Sequence, residues 1–246
     1  MTNHLIRRLE QFVRFSEEDK KALESLPTVN VRHLPARRDL IREGEEPRFV
    51  NLVVEGWAFR HKMLEDGRRQ IIAFLIPGDL CDLNVFILKE MDHSIGALTR
   101  LKVAQLPRDI FEQIYEARPR ITQALHWDSL VTAAIQREWT VNLGQRTAIE
   151  RIAHLMCEII FRMRGVGLCC GDTCEFPITQ NDLAEATGMT AVHLNRTIQE
   201  MRGQGLIMWK GRELHIPDMD ALRRAGLFNP NYLHLDRVGA HLNANE

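Results

Sequence analysis

The chain reads as an α+β protein in three consecutive parts: an antiparallel β-roll, one long helix, and a helix-turn-helix closed by a short hairpin. Three observations predict this. Residues 28–106 break into short apolar runs separated by glycine turns. The helical section opened by Pro119 runs to about residue 141 without a stop signal. Residues 176–207 spell two short helices around Gly188.

In the first part, Ser16 caps a helix reaching about residue 26, with Glu17, Glu18 and Asp19 well placed in its first turn. Strands are expected at 29–34, 40–42, 50–54, 58–63, 70–75, 95–99 and 103–106. The turns between them are Glu43-Gly44-Glu45, Glu55-Gly56, Glu65-Asp66-Gly67 and Pro77-Gly78-Asp79. Asp66-Gly67 between alternating strands is a hairpin signal. Many short strands at this spacing predict a small antiparallel barrel or roll.

Pro107 opens a short helix to about residue 117, and Pro119 suits the first turn of the next. In that longer helix Ile121, Leu125, Thr132, Ile135 and Trp139 fall near a heptad seam, which Asp128 interrupts. The expectation is a helix packed on its own domain and on a second copy; an ordinary buried helix also fits the pattern. A further helix covers 147–164, and 165–176 reads as a loop or small hairpin.

Thr179 is a good N-cap, with Asp182 three residues on to complete a capping box. Leu183, Ala184 and Thr187 face inward, and Gly188 supplies the positive φ that ends the helix. Thr190 caps a second helix in which Leu194, Ile198 and Met201 recur at helical spacing. Ala191, Val192, Asn195, Arg196, Gln199 and Arg202 then face outward, and Asn, Arg and Gln suit the edges of DNA bases. A hairpin follows, 206–209 and 213–216 around Lys210-Gly211-Arg212. A last short helix ends near residue 225, and a loosely ordered tail begins at Asn229.

Domains are expected at 1–118, 119–143 and 144–228, with a tail at 229–246. At 246 residues, 45% hydrophobic and 26% charged, the composition is that of a soluble protein with room for two cores. No apolar run approaches the roughly 20 residues that span a bilayer. The N-terminus is charged and amphipathic rather than signal-like, so a cytoplasmic protein with no membrane partner is expected. Net charge is −1, so DNA binding would need Arg196, Arg202, Lys210 and Arg212 gathered on one side. No nucleophile motif, phosphate-binding glycine loop or HExxH site is present. Neither an enzyme nor a cofactor is expected, and Glu43, Glu45 and Glu46 read as solvated turn residues.

The roll ending in Pro77-Gly78-Asp79, the single long helix, and ITQNDLAEATGMTAVHLNRTIQEMRGQGLI with its hairpin resemble the bacterial Crp/Fnr family over residues 16–225. The resemblance implies a cyclic-nucleotide-binding-like sensor roll and a helix that makes a homodimer. It further implies a winged helix-turn-helix in the major groove of a palindromic DNA site and, in an activator, contact with RNA polymerase. Thr190 to Gln199 fall on the family's recognition helix. Arg196 matches its most constant arginine, which typically contacts a guanine. Val192 stands where many members carry a base-reading glutamate, and can offer only apolar contact. Asn195 and Gln199 are either polar readers or solvated surface, and His193 a phosphate contact or packing residue. Thr179, Gln180, Lys210 and Arg212 are candidates for holding the DNA backbone.

Members that bind cyclic AMP carry Gly-Glu shortly after Pro-Gly-Asp, then Arg-Ser or Arg-Thr. Here those places read Asp82-Leu83 and His93-Ser94, so the ribose acceptor and the phosphate-pairing guanidinium are both gone. Cyclic AMP is disfavoured. Gly78, Asp82, Leu83, His93 and Ser94 remain the wall for a different effector, or for none. The oxygen-sensing branch holds an iron–sulfur cluster on N-terminal cysteines, whereas the first cysteine here is Cys81. Five cysteines give no evident disulfide framework. Cys169, Cys170 and Cys174, with Cys157 on the preceding helix, are candidates for a soft metal or redox chemistry. The plainer reading is a core Cys157 and free thiols at a hairpin tip.

Overall fold

A computed structural model describes residues 3–83 and 85–235. The chain divides into two compact units, one of Met1–His61, Phe74–Ala133 and His234–Glu246, the other of Lys62–Ala73 and Ala134–Leu233.

The first unit opens with α1 (His4–Leu9) and α2 (Glu17–Ser25). Asn3 caps α1, its side-chain oxygen accepting from the amides of Leu5 and Ile6. Ser16 and Asp19 form a reciprocal capping box on α2. Eight strands follow along the described chain: β1 (Val31–Leu34), β2 (Asp39–Ile41), β3 (Val50–Glu55), β4 (Ala58–Met63), β5 (Arg69–Leu75), β6 (Leu80–Cys81), β7 (Ser94–Ala97) and β8 (Leu101–Leu106); the end of β4 and Arg69–Ala73 of β5 belong to the second unit. They form two four-stranded sheets, ordered β1-β8-β3-β6 and β2-β7-β4-β5. Every register given is antiparallel, for example Val50 opposite Leu106 and Phe59 opposite Gly96. Leu52, Phe59, Phe74, Ile95, Leu101 and Leu106 are buried in this roll. Gly56 turns β3 into β4 at φ +81°, where a Cβ would overlap the carbonyl oxygen of Arg100. The helices α3 (Arg108–Ala117) and α4 (Pro119–Gly144) complete the count.

The expected strands are present with ends shifted by one or two residues. Two further elements, β6 and α1, are too short to show a period in the sequence.

One buried ionic triad explains the residue that interrupts the α4 pattern. Arg8 of α1 reaches Asp79 at 2.6 Å and Asp128 at 2.6 Å, all three nearly inaccessible. Burial opposes the guanidinium charge, but Asp128 and Asp79 outweigh it and hold Arg8 well above its ordinary value.

The second unit contains the end of α4, then α5 (Ala148–Gly165), β9 (Thr173–Glu175), α6 (Gln180–Thr187), α7 (Ala191–Gly203), β10 (Met208–Lys210), β11 (Glu213–His215) and α8 (Met219–Ala225). Its sheet is ordered β10-β11-β9. The segment 165–176 is thus a hairpin whose second arm supplies a third strand. The expected loose tail is corrected in part: Pro230–Leu233 forms a 3-10 turn with Leu233 buried. Residues 236–246 of that tail lie outside the described residues.

The heptad stripe is covered by its own chain. Ile121, Leu125, Ile135 and Trp139 are buried within this chain, and Thr132 is half-buried. An apolar period reports that a stripe is covered without saying by what. The large apolar side chains that α4 leaves exposed are instead Leu130, Val141 and Leu143.

Under α4 and α5 lies a polar cluster. Glu158 is fully buried and accepts from Trp139 Nε1 at 3.2 Å and the Tyr232 hydroxyl at 3.1 Å. His154, also fully buried, faces Asn142 at 3.2 Å and Glu138 at 3.4 Å, with Arg146 nearby and Tyr232 stacked on its ring. Burial first, then Arg146, pulls His154 down from 6.5 to about 3. The folded protein keeps this ring neutral where the unfolded chain takes a proton, so its contribution is lost as pH falls below about 6.5. Between pH 7 and 5 the melting temperature of the wild type is expected to fall more steeply than that of His154→Gln. Glu158 is common to both, so equal slopes would refute the assignment.

Candidate nucleic-acid interface

The helix-turn-helix is set by local chemistry. Thr179 Oγ1 donates to Asp182 at 2.6 Å and accepts from the Asp182 amide at 3.2 Å, so α6 begins at Gln180. Gly188 ends it at φ 65°. Thr190 Oγ1 accepts from the His193 amide at 3.2 Å and starts α7. Leu194, Ile198 and Met201 are fully buried, which turns Ala191, Val192, His193, Asn195, Arg196 and Gln199 out to solvent. Val192 is 82% exposed. Asn195 Nδ2 donates to Gln180 Oε1 at 3.0 Å, tying the two helices together on that open face. Lys210 and Arg212 are exposed on the β10–β11 wing, and Arg212 pairs with Glu175 of β9 at 2.7 Å. Arg202 departs from the expected outward position. It is half-buried and donates to the Trp209 carbonyl, so it fastens α7 to the wing.

The expected effector wall is brought together in part. A cavity of about 300 Å³ in the roll is lined by Asp82, Leu83 and His93, together with Arg60, Leu80 and Asp128. Gly78 and Ser94 do not line it. A Cβ on Gly78 would meet the backbone of His4 at 2.8 Å, and Ser94 Oγ accepts from the Glu43 amide at 3.0 Å. Arg60, unnoticed in the sequence, brings a guanidinium to the cavity, but Asp82 engages it at 3.2 Å. Asp82 also meets His93 at 3.1 Å, and His93 meets Asp92 at 2.7 Å. Burial works against the Asp82 charge, yet Arg60 and His93 outweigh it and hold the carboxyl below its usual range. His93 is raised because Asp82 and Asp92 outweigh its own burial.

Residues 31–118 match the family model of the cyclic nucleotide-binding domain, and residues 150–225 that of the Crp-like helix-turn-helix domain. The chain belongs to the Crp/Fnr family of transcription regulators. It is 28% identical over 198 residues to the transcriptional activator protein FnrL of Cereibacter sphaeroides, covering 79% of each chain. To a probable transcriptional activator of Rhizobium leguminosarum it is 26% identical over 194 residues, 78% of this chain and 80% of that one. The structure of FixK2 from Bradyrhizobium japonicum superposes with a TM-score of 0.71 at 23% identity, over 80% of this chain and 96% of that one, which shows the shared fold. These relatives are transcriptional regulators rather than enzymes. Among the described residues no helix is long and apolar enough to cross a membrane.

This Crp/Fnr regulator carries contacts that no local pattern in its sequence reveals. Arg69 of β5, in the same unit as the helix-turn-helix, pairs with Glu185 at 2.6 Å and lies 3.8 Å from Asp182. Its neighbour Gln70 donates to the Ala186 carbonyl at 3.3 Å. Arg151 of α5 donates to the Thr187 carbonyl at 2.7 Å. These partners lie 36 to 116 positions apart, beyond any local pattern. The cysteines depart from expectation in one pair. Cys169 and Cys174 form a disulfide, whereas Cys170 is free and exposed and Cys157 is buried, as the plainer reading has them. Among the described residues no cluster of three His, Cys, Asp or Glu side chains is placed to hold a metal.

Proposed function

We propose that two copies of this chain, joined through α4, regulate transcription in the cytoplasm by binding an inverted repeat in duplex DNA. In this reading residues 1–118 are the sensor, 119–143 the dimer helix and 144–228 the reading head. The observation that carries it is the open face of α7, where buried Leu194, Ile198 and Met201 turn Arg196, Asn195, Gln199 and Val192 outward together. Arg196 reads guanine as a fork, Val192 meets a thymine methyl, and the two amides supply further polar readout. Thr179, Gln180, Thr190, Ala191, His193, Lys210 and Arg212 hold the sugar-phosphate backbone.

The buried heptad seam leaves a different stripe for the second copy: Leu130, Ala133 and Val141, all exposed along α4. The relatives' names favour activation, which requires contact with RNA polymerase. Cyclic AMP is disfavoured as the effector in this reading, because Arg60, the one guanidinium among the described residues lining the cavity, already pairs with Asp82.

Selection of duplexes from a random pool is the test. The expected product is a palindrome with half-sites about one helical turn, roughly 34 Å, apart. Recovery of sites without dyad symmetry sinks the dimer, and tight thermal stabilisation by cyclic AMP sinks the effector reading.

A further inference from the structure

The three cysteines near the wing are not equivalent. A two-residue turn, Gly171-Asp172, sets Cys170 opposite Thr173, and this places Cys169 opposite Cys174 with Cα atoms 5.2 Å apart. Cys170, one residue along, is exposed while Cys169 and Cys174 are covered. The chain reaches Cys169 directly from the end of α5, where the Leu168 amide donates to the Met163 carbonyl at 2.8 Å. Cys174 sits in β9 opposite Leu214 of the wing strand β11. The next two residues hold the wing tip: Glu175 pairs with Arg212 at 2.7 Å, and the Phe176 amide donates to the Arg212 carbonyl at 2.7 Å. The disulfide therefore ties the end of a buried helix to the edge strand that positions Arg212. Arg164 donates to the Gly171 carbonyl at 2.7 Å, bringing a cation to the same hairpin, the kind of surrounding that favours thiolate.

We propose that Cys169 and Cys174 are a reversible thiol–disulfide pair that sets how firmly the wing is held, with hydroperoxides as oxidant and dithiols as reductant. In oxidation one thiolate attacks a peroxide oxygen, the O–O bond breaks, and a sulfenic acid forms. The second thiolate attacks the sulfenic sulfur, the S–O bond breaks, and the S–S bond forms. Two thiols and one hydrogen peroxide thus become one disulfide and two waters. In reduction a dithiol attacks one sulfur to give a mixed disulfide, then closes on itself and returns both cysteines as thiols. The other cysteines serve as internal controls. Cys81 and Cys157 are buried and unpaired with any cysteine, and burial pushes the Cys157 thiol up to about 12, so both stay thiols in either state. Cys170 is exposed in either state.

The effect on DNA rests on the wing contacts proposed above; the redox chemistry does not, and the experiment separates them. Full-length protein is treated with hydrogen peroxide or dithiothreitol, freed of reagent, and alkylated with iodoacetamide in denaturant, which opens the covered cysteines to the reagent. The oxidised protein should take three labels, at Cys81, Cys157 and Cys170, and the reduced protein all five. Amide exchange across residues 173–175 and 213–215 should be slower in the oxidised form. Affinity for a selected duplex, by fluorescence anisotropy, should fall roughly threefold to tenfold on reduction. The Cys169→Ser/Cys174→Ser variant should match the reduced protein and ignore peroxide. Five labels after peroxide, or equal amide exchange in the two states, overturns the pair as a switch. Equal duplex affinity with the exchange difference intact overturns its link to the wing. Failure of both states to bind any duplex overturns the DNA reading instead, and the labels and exchange still decide the switch.

Discussion

Replacing Asp128 with alanine is expected to cost about 3–5 kcal/mol of stability, the range for removing one partner from a buried ion pair. Asp128 lies on α4 and Arg8 on α1, 120 positions away, and they meet at 2.6 Å with almost no solvent access. Alanine leaves the guanidinium with Asp79 alone and opens space beside it. Asp128→Asn keeps an acceptor in place and should cost clearly less, which separates loss of the charge from loss of the hydrogen bond. Urea unfolding at fixed pH reads both variants. A midpoint for Asp128→Ala equal to wild type would show that the triad contributes nothing net, its desolvation cancelling its attraction.

The second large effect is on recognition. Arg196→Ala should weaken binding to a selected duplex by about 1–3 kcal/mol, where 1.4 kcal/mol is about tenfold, and should relax the base preference at one position. Arg196 is exposed on α7, so its removal should change stability by no more than about 0.5 kcal/mol. Lys210→Ala is the contrast. It should weaken all duplexes alike and lower the salt dependence by about one counterion. Anisotropy titrations against selected and scrambled duplexes distinguish the two. Equal losses on both sequences for Arg196→Ala would make it a phosphate contact and not a base reader.

What could be read from the sequence was what its own neighbours decide. The bounds of α6, its capping box and the left-handed Gly188 agree with the sequence-based expectation, because Thr179, Asp182 and Gly188 settle them within ten positions. Short range also explains the strands, where turn residues alternate with apolar runs. The ionic contacts were illegible: Arg8 with Asp128, Arg60 with Asp82 and Arg69 with Glu185 depend on which strands and helices become neighbours in space. The α4 seam was legible only as a covered stripe: Ile135 and Trp139 are buried within this chain, as packing on its own domain requires, and an apolar period does not name what lies beyond it. The disulfide lay between the two cases, since only five positions separate Cys169 from Cys174 and yet the pairing depends on the turn between them.

If α7 reads bases as proposed, the hydrogen bond between Asn195 and Gln180 affects how much information each base pair carries. An Arg196 set against the wrong base would have no substitute partner for donors that DNA takes out of water, and the full desolvation penalty would be felt. When Asn195 faces the wrong base it can fall back on Gln180, 3.0 Å away, so the mismatch strands fewer polar atoms. The half-site recovered by selection should accordingly be uneven, with one base pair sharply fixed beneath Arg196 and a blurred one beneath the amides. A genome would then offer a graded family of sites sharing the sharp position, ranked by the blurred one.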